Sequence, residues 1–328
     1  MKKENVQFVF ITANENEYVS LMSFLKHPEC RLPNVVETTF EDIDELKGRI
    51  KMKRNLMEYC LFSVRGSSGS KIKCAVLKCL SMGSSGCWGS RMETLQLLIT
   101  ARDRCWSPEA IFIIGCCGGI KVPKSDACAE VEMKVLEPDD GGRKESVVGR
   151  VCVAGKVIHY NRGKIEGEGD MKWKPTTDYS SKKNTWYGHV LKVENITFPR
   201  KKVPYKTIDR FLSGDHVVKS EDAAKKLSQF GVDPTNVAIE MEGLGVAEAL
   251  EIAEMVNGKV IQDDSIKIPL PENVIVKGIS DLAGRDKKEA CDIQFFGEEK
   301  KDVIEDHRQQ MCTIMAATLV LRAIVHFT

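Results

Sequence analysis

Hydrophobic residues follow two different periods along this chain. Short apolar or alternating runs with the length of strands fall at residues 6–11, 59–65, 71–80, 110–114, 149–158, 188–197, 237–240 and 273–279. Longer segments with apolar residues every three or four positions predict helices over residues 15–26, 40–50, 87–104, 218–230, 243–256 and 301–325. Strands interleaved with helices in this way predict an α/β sandwich around a mixed, largely parallel central sheet.

Local signals add detail to three of these elements. Thr38 to Glu41 has the form of a capping box and opens the predicted helix over 40–50. The Gly-Ser-Ser-Gly-Ser sequence at 66–70 separates two strand runs and predicts a hairpin. The helix predicted after Gly83-Ser-Ser-Gly86, over 87–104, is expected to turn four apolar residues toward the core, namely Met92, Leu95, Leu98 and Ile99.

The pattern gives no sign of a linker, a repeat or a low-complexity segment. We therefore predict a single domain over residues 1–328. Residues 123–148 are polar, acidic and glycine-containing, which is typical of a surface excursion. The polar stretch at 161–185 is a candidate for a mobile lid.

Composition narrows the class of protein. Of the 328 residues, 42% are hydrophobic and 29% are charged, and the net charge of +1 gives no electrostatic case for a nucleic-acid or membrane partner. The apolar run at 311–325 is interrupted by Thr and Arg and is expected to be too short to span a bilayer, and the run at 6–11 is too short for a signal peptide. The 12 cysteines include no Cys-x-x-Cys pair, so we expect no metal site and a reducing, cytoplasmic location.

Carboxylates stand where several predicted strands end. They follow the strands at Glu15 to Glu17, at Glu240 to Glu242 and at Ser280–Asp281. Ligands of open α/β sheets bind at the carboxyl ends of strands, and unpaired carboxylates are costly to bury, so these groups predict a site. Glu240 and Glu242 with Met241 between them suit a vicinal diol, because a carboxylate accepts from two hydroxyls while the thioether packs on a flat apolar face.

Six short motifs, in order along the chain, carry a family resemblance. They are Ala13-Asn-Glu-Asn-Glu17, Gly83-Ser-Ser-Gly86, Gly115-Cys-Cys-Gly-Gly119, Ser213-Gly-Asp215, Glu240-Met-Glu-Gly243 and Ile279-Ser-Asp281. Together they resemble the nucleoside phosphorylase and nucleosidase family, whose members cleave the bond between a base and its sugar. The resemblance implies a three-layer α/β/α sandwich, assembly as a homo-oligomer, and a small-molecule purine nucleoside or nucleotide as the partner, with no cofactor.

Cleavage of an N-glycosidic bond requires an acid for the leaving base and a nucleophile for the anomeric carbon. Asp281 is the candidate acid, since its place after an apolar strand would desolvate it; the alternative is a helix cap. Glu17 matches by spacing the glutamate that activates water in the nucleosidase branch, whereas a structural role would be to stabilise a helix dipole.

The resemblance also assigns residues to substrate binding. Glu242 would accept from the ribose hydroxyls with Met241 against the sugar, unless Glu242 is a buried ion-pair residue, and Glu240 would bind or only orient its neighbour. Val217 and Val218 fall at the wall of the base pocket, where the family often has an aromatic residue; core packing is the alternative. The other two candidates are Ser280, beside the acid, and Cys116, which stands where a serine is common and whose alternative is a packed thiol.

The remaining question is whether the acceptor is water or phosphate. Phosphorylases of this family hold phosphate with arginines, and the corresponding segments here, 11–17 and 112–114, contain none. Hydrolysis is therefore favoured, with phosphorolysis and ligand sensing without turnover as alternatives. Cations at Arg162, Lys164, Lys172 and Lys174 would suit the phosphates of a nucleotide, or are solvated surface residues.

Overall fold

The fold is described from a computed structural model of the protein. The structure describes residues 5–26, 48–51, 56–79, 82–119, 151–160, 163–166, 172–175, 178–193, 196–198, 201–203, 205–208, 210–214, 237–260, 267–282 and 305–328. The predicted surface excursion at 123–148, the predicted helix at 218–230, and Val217 and Val218 lie outside these residues.

Sixteen strands are present in the described residues. They are β1 (Phe8–Thr12), β2 (Gly48–Lys51), β3 (Leu56–Arg65), β4 (Lys71–Lys78), β5 (Ala110–Gly119), β6 (Val151–Ala154), β7 (Lys156–His159), β8 (Gly163–Glu166), β9 (Lys172–Pro175), β10 (Asp178–Ser180), β11 (Ile196–Phe198), β12 (Lys201–Val203), β13 (Tyr205–Ile208), β14 (Arg210–Ser213), β15 (Val237–Glu240) and β16 (Glu272–Leu282). Twelve of them form one sheet, while β8 pairs with β9 and β11 pairs with β12 in two separate ribbons.

The large sheet is mixed, as the sequence predicted. Its main path runs β10-β7-β14-β15-β5-β1-β4-β3-β2, and six of its eleven pairings are parallel. Strand β5 is central: β1 lies on one side of it, β16 lies on the other, and β15 meets its far end at Gly118 and Gly119.

Helices cover both faces of this sheet. They are α1 (Glu15–Lys26), α2 (Met82–Asp103), α3 (Thr185–Lys192), α4 (Gly243–Val260) and α5 (Glu305–Phe327). Helices α1 and α3 pack against α5 in one layer, and α2 packs against α4 in the other. The three-layer α/β/α prediction is therefore confirmed.

Aromatic residues pack the sheet against α3. Phe8 meets Trp186 edge to face at 4.6 Å, and Phe10 meets Phe112 at 5.7 Å between ring centroids. All three phenylalanines are fully buried, and burying such a side chain contributes about 1.5–3 kcal/mol. This packing gives β1 and β5 a rigid base from which their carboxyl ends project.

Two predicted elements are wrong. The segment predicted as a strand over 188–197 is helix α3 up to Lys192, because Trp186, Tyr187 and Val190 form a buried helical face. Glu272 also accepts from the first two amides of that helix. The end of the helix predicted over 40–50 is instead strand β2, which begins at Gly48, a poor helix former, and pairs with β3. Residues 40–47 of that prediction lie outside the described part.

Smaller corrections concern partner changes and helix faces. The strand predicted over 149–158 is two strands that change partner at Gly155. Strand β6 pairs with β16, whereas β7 pairs with β14. Part of the candidate lid at 161–185 is regular structure, namely β8, β9 and β10. On α2, Met92 and Ile99 are exposed instead of facing the core, and the buried side of the helix carries Glu93.

Helix α5 is longer than the apolar run at 311–325 suggested. Its segment Arg308–Phe327 is long and apolar enough to cross a membrane by length and composition. Most of that segment is buried inside the protein, where α5 contacts β5, β16 and α1. The core helix of a globular protein passes the same length test, and the packing of α5 is of that kind.

Candidate functional site

The carboxyl half of β5 is the meeting point of the predicted site. In the strand register Lys277 lies opposite Gly115, Gly278 opposite Cys116 and Asp281 opposite Gly118. Strand β15 approaches from another direction, with Ile239 opposite Gly118, and then delivers Glu240. Residues from three distant parts of the chain are therefore collected along this short stretch of strand.

Glu17 reaches this stretch from the first turn of α1. Its carboxylate accepts from the backbone N–H of Ala13 (2.7 Å) and from that of Cys116 (2.8 Å). Asn14 begins the helix by accepting from the N–H of Glu17 at 2.9 Å. A Cβ on Gly115 would lie 2.2 Å from a Glu17 oxygen, so this carboxylate requires a glycine at that position.

The pKa of Glu17 is raised above its ordinary value. Burial is the largest cause, the charge of Lys277 opposes it, and the charge of Glu242 adds to it. A carboxylate that is 1% exposed and has a raised pKa accepts a proton more readily than an exposed one. Two backbone N–H donors hold it in one orientation, which suits a general base.

Lys277 joins the carboxylates of the site. It is 1% exposed; its Nζ donates to Glu242 Oε2 and lies 3.7 Å from Glu240 Oε2. Burial alone would lower the pKa of this lysine, but the charges of Glu242, Glu240 and Glu17 together raise it well above its ordinary value. Lys277 is therefore a permanent buried cation.

Glu240 and Glu242 occupy the turn between β15 and α4 and have different hydrogen-bond partners. Glu240 Oε2 accepts from the N–H groups of Glu242 and Gly243, both at 2.8 Å, which caps the start of α4. Burial raises the pKa of Glu240, and Lys277 opposes that shift. These contacts match the role of orienting a neighbour. Glu242 is bound by Lys277, and Met241, between the two glutamates, is half-buried.

Asp281 and Ser280 lie near the end of β16. The Ser280 hydroxyl, which is 1% exposed, donates to Asp281 Oδ2 at 2.9 Å, and Asp281 is half-buried. Asp281 belongs to the strand, after a register shift that follows Ile279, so it is not the cap of a helix in the described residues. Burial raises the pKa of the Cys312 thiol, and the charges of Asp281 and Glu17 add to that shift.

Cys116 contacts the predicted base directly. Its thiol lies 3.3 Å from Glu17 Oε1, to which its backbone N–H also donates. Burial and the charge of Glu17 raise the pKa of this thiol well above its ordinary value, so the thiol form is favoured. The packed, hydrogen-bonded thiol is the better description, and a nucleophilic cysteine is not supported.

The other candidate cations belong to the region of the β8–β9 ribbon. Lys164 pairs with Lys174 across the β8–β9 ribbon, which is a separate two-stranded sheet, and Arg162 lies outside the described part. The proposed contact with nucleotide phosphates stays a prediction.

Sequence reasoning missed Lys277. The signal was present in the sequence. A lysine interrupts the run from Val274 to Ile279, and a strand buried on both faces is normally apolar throughout. A buried cation in such a run predicts carboxylate partners. Glu93 on α2 was missed as well, because the predicted inner face of the helix included the preceding residue, Met92.

The assembled groups could serve a hydrolytic step at a sugar. Glu17 is a fixed base, Glu242 is a carboxylate with one oxygen bound by a lysine, and Asp281 is a half-buried carboxyl at the neighbouring strand end. Charge that develops on a sugar ring between them would be stabilised by the surrounding carboxylates.

Three solved structures illustrate what this chain is similar to. The 5′-methylthioadenosine/S-adenosylhomocysteine nucleosidase of Neisseria meningitidis, in complex with methylthio-immucillin-A, is 15% identical with a TM-score of 0.53, and 97% of this chain and 98% of that one are covered. The Streptococcus pneumoniae MTA/SAH nucleosidase with 8-aminoadenine is 15% identical with a TM-score of 0.54, covering 97% and 100%. Uridine phosphorylase of Schistosoma mansoni with thymidine is 9% identical with a TM-score of 0.51, covering 97% and 86%.

Neither a protein-family model nor a curated protein matches the sequence. The structural likenesses extend over nearly the whole chain and show the fold that nucleosidases and a nucleoside phosphorylase share. That is the fold which the six sequence motifs implied.

Proposed function

We propose that this chain, which has the fold of nucleoside phosphorylases and nucleosidases, is an N-glycosidase that hydrolyses the base–ribose bond of a purine nucleoside or nucleotide. The observation that carries the proposal is the buried group formed by Glu17, Lys277 and Glu242 at the end of the central strands. The candidate acid Asp281 lies four residues beyond Lys277 on the same strand.

Each group has a defined task in this reaction. Glu242 accepts from the 2′- and 3′-hydroxyls, with Met241 against the sugar. Asp281 donates a proton to the base, usually at N7, while the bond between C1′ and the base nitrogen breaks and its electron pair goes to the base. Glu17 takes a proton from water as the water oxygen bonds to C1′. The products are free base and a ribose, and one water is consumed.

Hydrolysis fits the charge of the site better than phosphorolysis. Among the lysines and arginines that the structure describes, Lys277 and Arg308 are buried, and Lys277 is bound by Glu242. A phosphate dianion placed beside Glu17 would face a buried carboxylate and a lysine already engaged elsewhere. Water carries no charge, so the Glu17 carboxylate does not repel it.

Product analysis separates hydrolysis from phosphorolysis. Purified protein is incubated with adenosine, inosine, methylthioadenosine, S-adenosylhomocysteine, AMP and ATP, each with and without inorganic phosphate. We expect free base with ribose, or with the corresponding 5′-substituted ribose, in the absence of phosphate. Ribose 1-phosphate formed only with phosphate would make the protein a phosphorylase, and binding without any product would favour a sensor.

Glu17→Gln tests the base within the same assay. It keeps the size of the side chain but removes the proton acceptor, and general-base catalysis is worth about 100- to 10,000-fold. Glu15→Gln is the matched control, because Glu15 lies in the same helical turn, is 61% exposed and pairs with Lys78 instead of the site. Equal activity in both variants would refute the role of Glu17.

A further inference from the structure

Strand β16 is irregular beside the candidate acid. Its residues pair one to one with those of β5 up to Ile279, which lies opposite Cys117. The next residue of β5, Gly118, lies opposite Asp281, so β16 carries one extra residue, Ser280. Extra residues of this kind are rare in parallel strand pairs and are frequent next to active sites, where they redirect a side chain.

The extra residue decides which face of the sheet receives the acid. Without it Asp281 would lie opposite Gly119 instead of Gly118. Successive residues of a strand point to opposite faces, so a shift of one position moves a side chain to the other face. The direction of the Asp281 carboxyl therefore depends on the groups that hold this irregularity in place.

Helix α5 contacts β16 immediately before the irregularity. The thiol of Cys312 donates to the backbone carbonyl of Ile279 at 3.4 Å, and this cysteine is fully buried. Burial raises the pKa of the thiol, so it keeps the proton with which it donates. Ile279 is the last residue before the register shifts, so the contact fixes the strand where its regular pairing with β5 ends.

Gly278 allows α5 to come this close. A Cβ at that position would lie 2.5 Å from the Cβ of Cys312, 2.8 Å from its Cα and 2.9 Å from its carbonyl oxygen. Two of those three atoms belong to the backbone of the helix and cannot rotate away. In the described residues the pairing of β16 with β6 also ends at Gly278, opposite Val151. Helix α5 therefore supports β16 at the point where that pairing ends.

We propose that Cys312 is a positioning residue for the candidate acid Asp281. Its hydrogen bond to the Ile279 carbonyl, together with the close contact at Gly278, holds the extra residue of β16 in place and so sets the direction of the acid. The inference rests on the proposed function, in which Asp281 protonates the leaving base. Because Cys312 is fully buried, it acts through the strand and not by touching the substrate.

Two substrates separate this role from a general loss of stability. A purine nucleoside requires protonation of its leaving base, whereas p-nitrophenyl riboside has a leaving group that needs no acid. Cys312→Ala keeps a small side chain but removes the donor. A displacement of about 1 Å costs on the order of 100-fold, so we expect kcat/KM for the best purine substrate to fall roughly 10- to 100-fold and that for p-nitrophenyl riboside to stay within about twofold.

A conservative variant and a matched control complete the series. Cys312→Ser supplies a hydroxyl donor in place of the thiol and should recover most of the activity with purines. Cys74→Ala removes another fully buried thiol, which lies level with the amino end of β5, whereas Asp281 lies at its carboxyl end. This control should leave the ratio of the two kcat/KM values unchanged even where its melting temperature falls.

Three results would overturn the proposal. They are equal losses on both substrates in Cys312→Ala, the same change of ratio in Cys74→Ala, and a Cys312→Ser variant that is no better than Cys312→Ala. Each would show that Cys312 serves only the packing of α5.

A measurement without turnover keeps this proposal separate from the proposed function. The carboxyl carbon-13 signal of Asp281, assigned by its absence from Asp281→Asn, should shift in Cys312→Ala, return in Cys312→Ser and stay unchanged in Cys74→Ala. An unchanged signal in Cys312→Ala would overturn the positioning role even in an active enzyme. A shifted signal in a protein that cleaves no nucleoside would support the link from α5 to Asp281 and refute the N-glycosidase function instead.

Discussion

Replacing Lys277 by methionine removes a cation that lies beside both glutamates of the β15–α4 turn. Methionine has a similar length but no charge and no N–H donor. In the wild type the Nζ of Lys277 donates to Glu242 and lies 3.7 Å from Glu240 Oε2, and the lysine is 1% exposed. The variant would leave two buried carboxylates without their shared counterion, close to a third at Glu17.

The structure sets both the size and the pH dependence of the effect. Removing one partner of a buried ion pair costs about 3–5 kcal/mol. Lys277 also lowers the pKa values of Glu17 and Glu240, so both should rise further in the variant. Carboxyls with raised pKa values take up protons as the pH falls, which removes the uncompensated charge. We therefore expect the destabilisation to be largest near pH 8 and much smaller near pH 5.

The lysine itself does not contribute to this pH dependence. A lysine with a raised pKa stabilises fully below its unfolded value of about 10.4 and loses that contribution only as the pH rises through the folded value. Between pH 5 and 8 it is protonated in both states. The change across this range therefore reports the carboxyls alone.

Urea unfolding at pH 8 and pH 5 measures the effect without the salt screening that guanidinium would add. Lys277→Arg keeps the charge and should lose less stability than Lys277→Met, and Lys71→Met, on the exposed hairpin, is the surface control. Equal destabilisation of Lys277→Met at both pH values would show that lost packing, rather than uncompensated charge, explains the cost.

Three further predictions concern single residues of the site. Glu242→Gln should raise KM for ribonucleosides by about 10-fold or more, since hydrogen bonds to charged groups contribute about 1.5–3 kcal/mol, and should have little effect on a 2′,3′-dideoxy substrate. Asp281→Asn should lower kcat/KM about 100- to 10,000-fold with purine nucleosides but much less with p-nitrophenyl riboside, whose leaving group needs no acid. Gly115→Ala should abolish activity because its Cβ would lie 2.2 Å from a Glu17 oxygen, whereas Gly188→Ala, with nothing within 4 Å, should keep activity and raise the melting temperature, since alanine in a helix is favoured by about 1 kcal/mol.

Much of the fold could be predicted from the chain because its core strands are continuous apolar runs. Helix α1 was predicted at its observed limits, 15–26, and the hairpin of β3 and β4 was predicted around residues 66–70. Helix α3 was not, because its eight residues contain a short apolar pattern that fits a strand equally well. Its state is decided by Glu272, a cap that is distant in sequence.

The carboxylates of the site could be predicted from the sequence, but the contacts that link them to other residues could not. Acids at strand ends stand out in a sequence, and the charge of Glu242 adds to the raised pKa of Glu17. Their link through Lys277 depends on the pairing of β16 with β5, which no local pattern specifies. Glu93 was hidden for a related reason, since helical periodicity assigns the inner face to apolar residues and this helix buries a carboxylate.

The buried carboxyls imply that this site costs stability at neutral pH. Burial raises the pKa values of Glu17 and Glu240, so on folding each binds a proton more tightly than in the unfolded chain, where the value is about 4.3. Their contribution to stability is therefore complete below about pH 4.3 and is lost as the pH rises through the folded values. A base must be ionised to accept a proton, so activity should rise over the same range in which these groups stop stabilising the fold. An activity that is highest below pH 4.3 would contradict the assignment of Glu17 as the base.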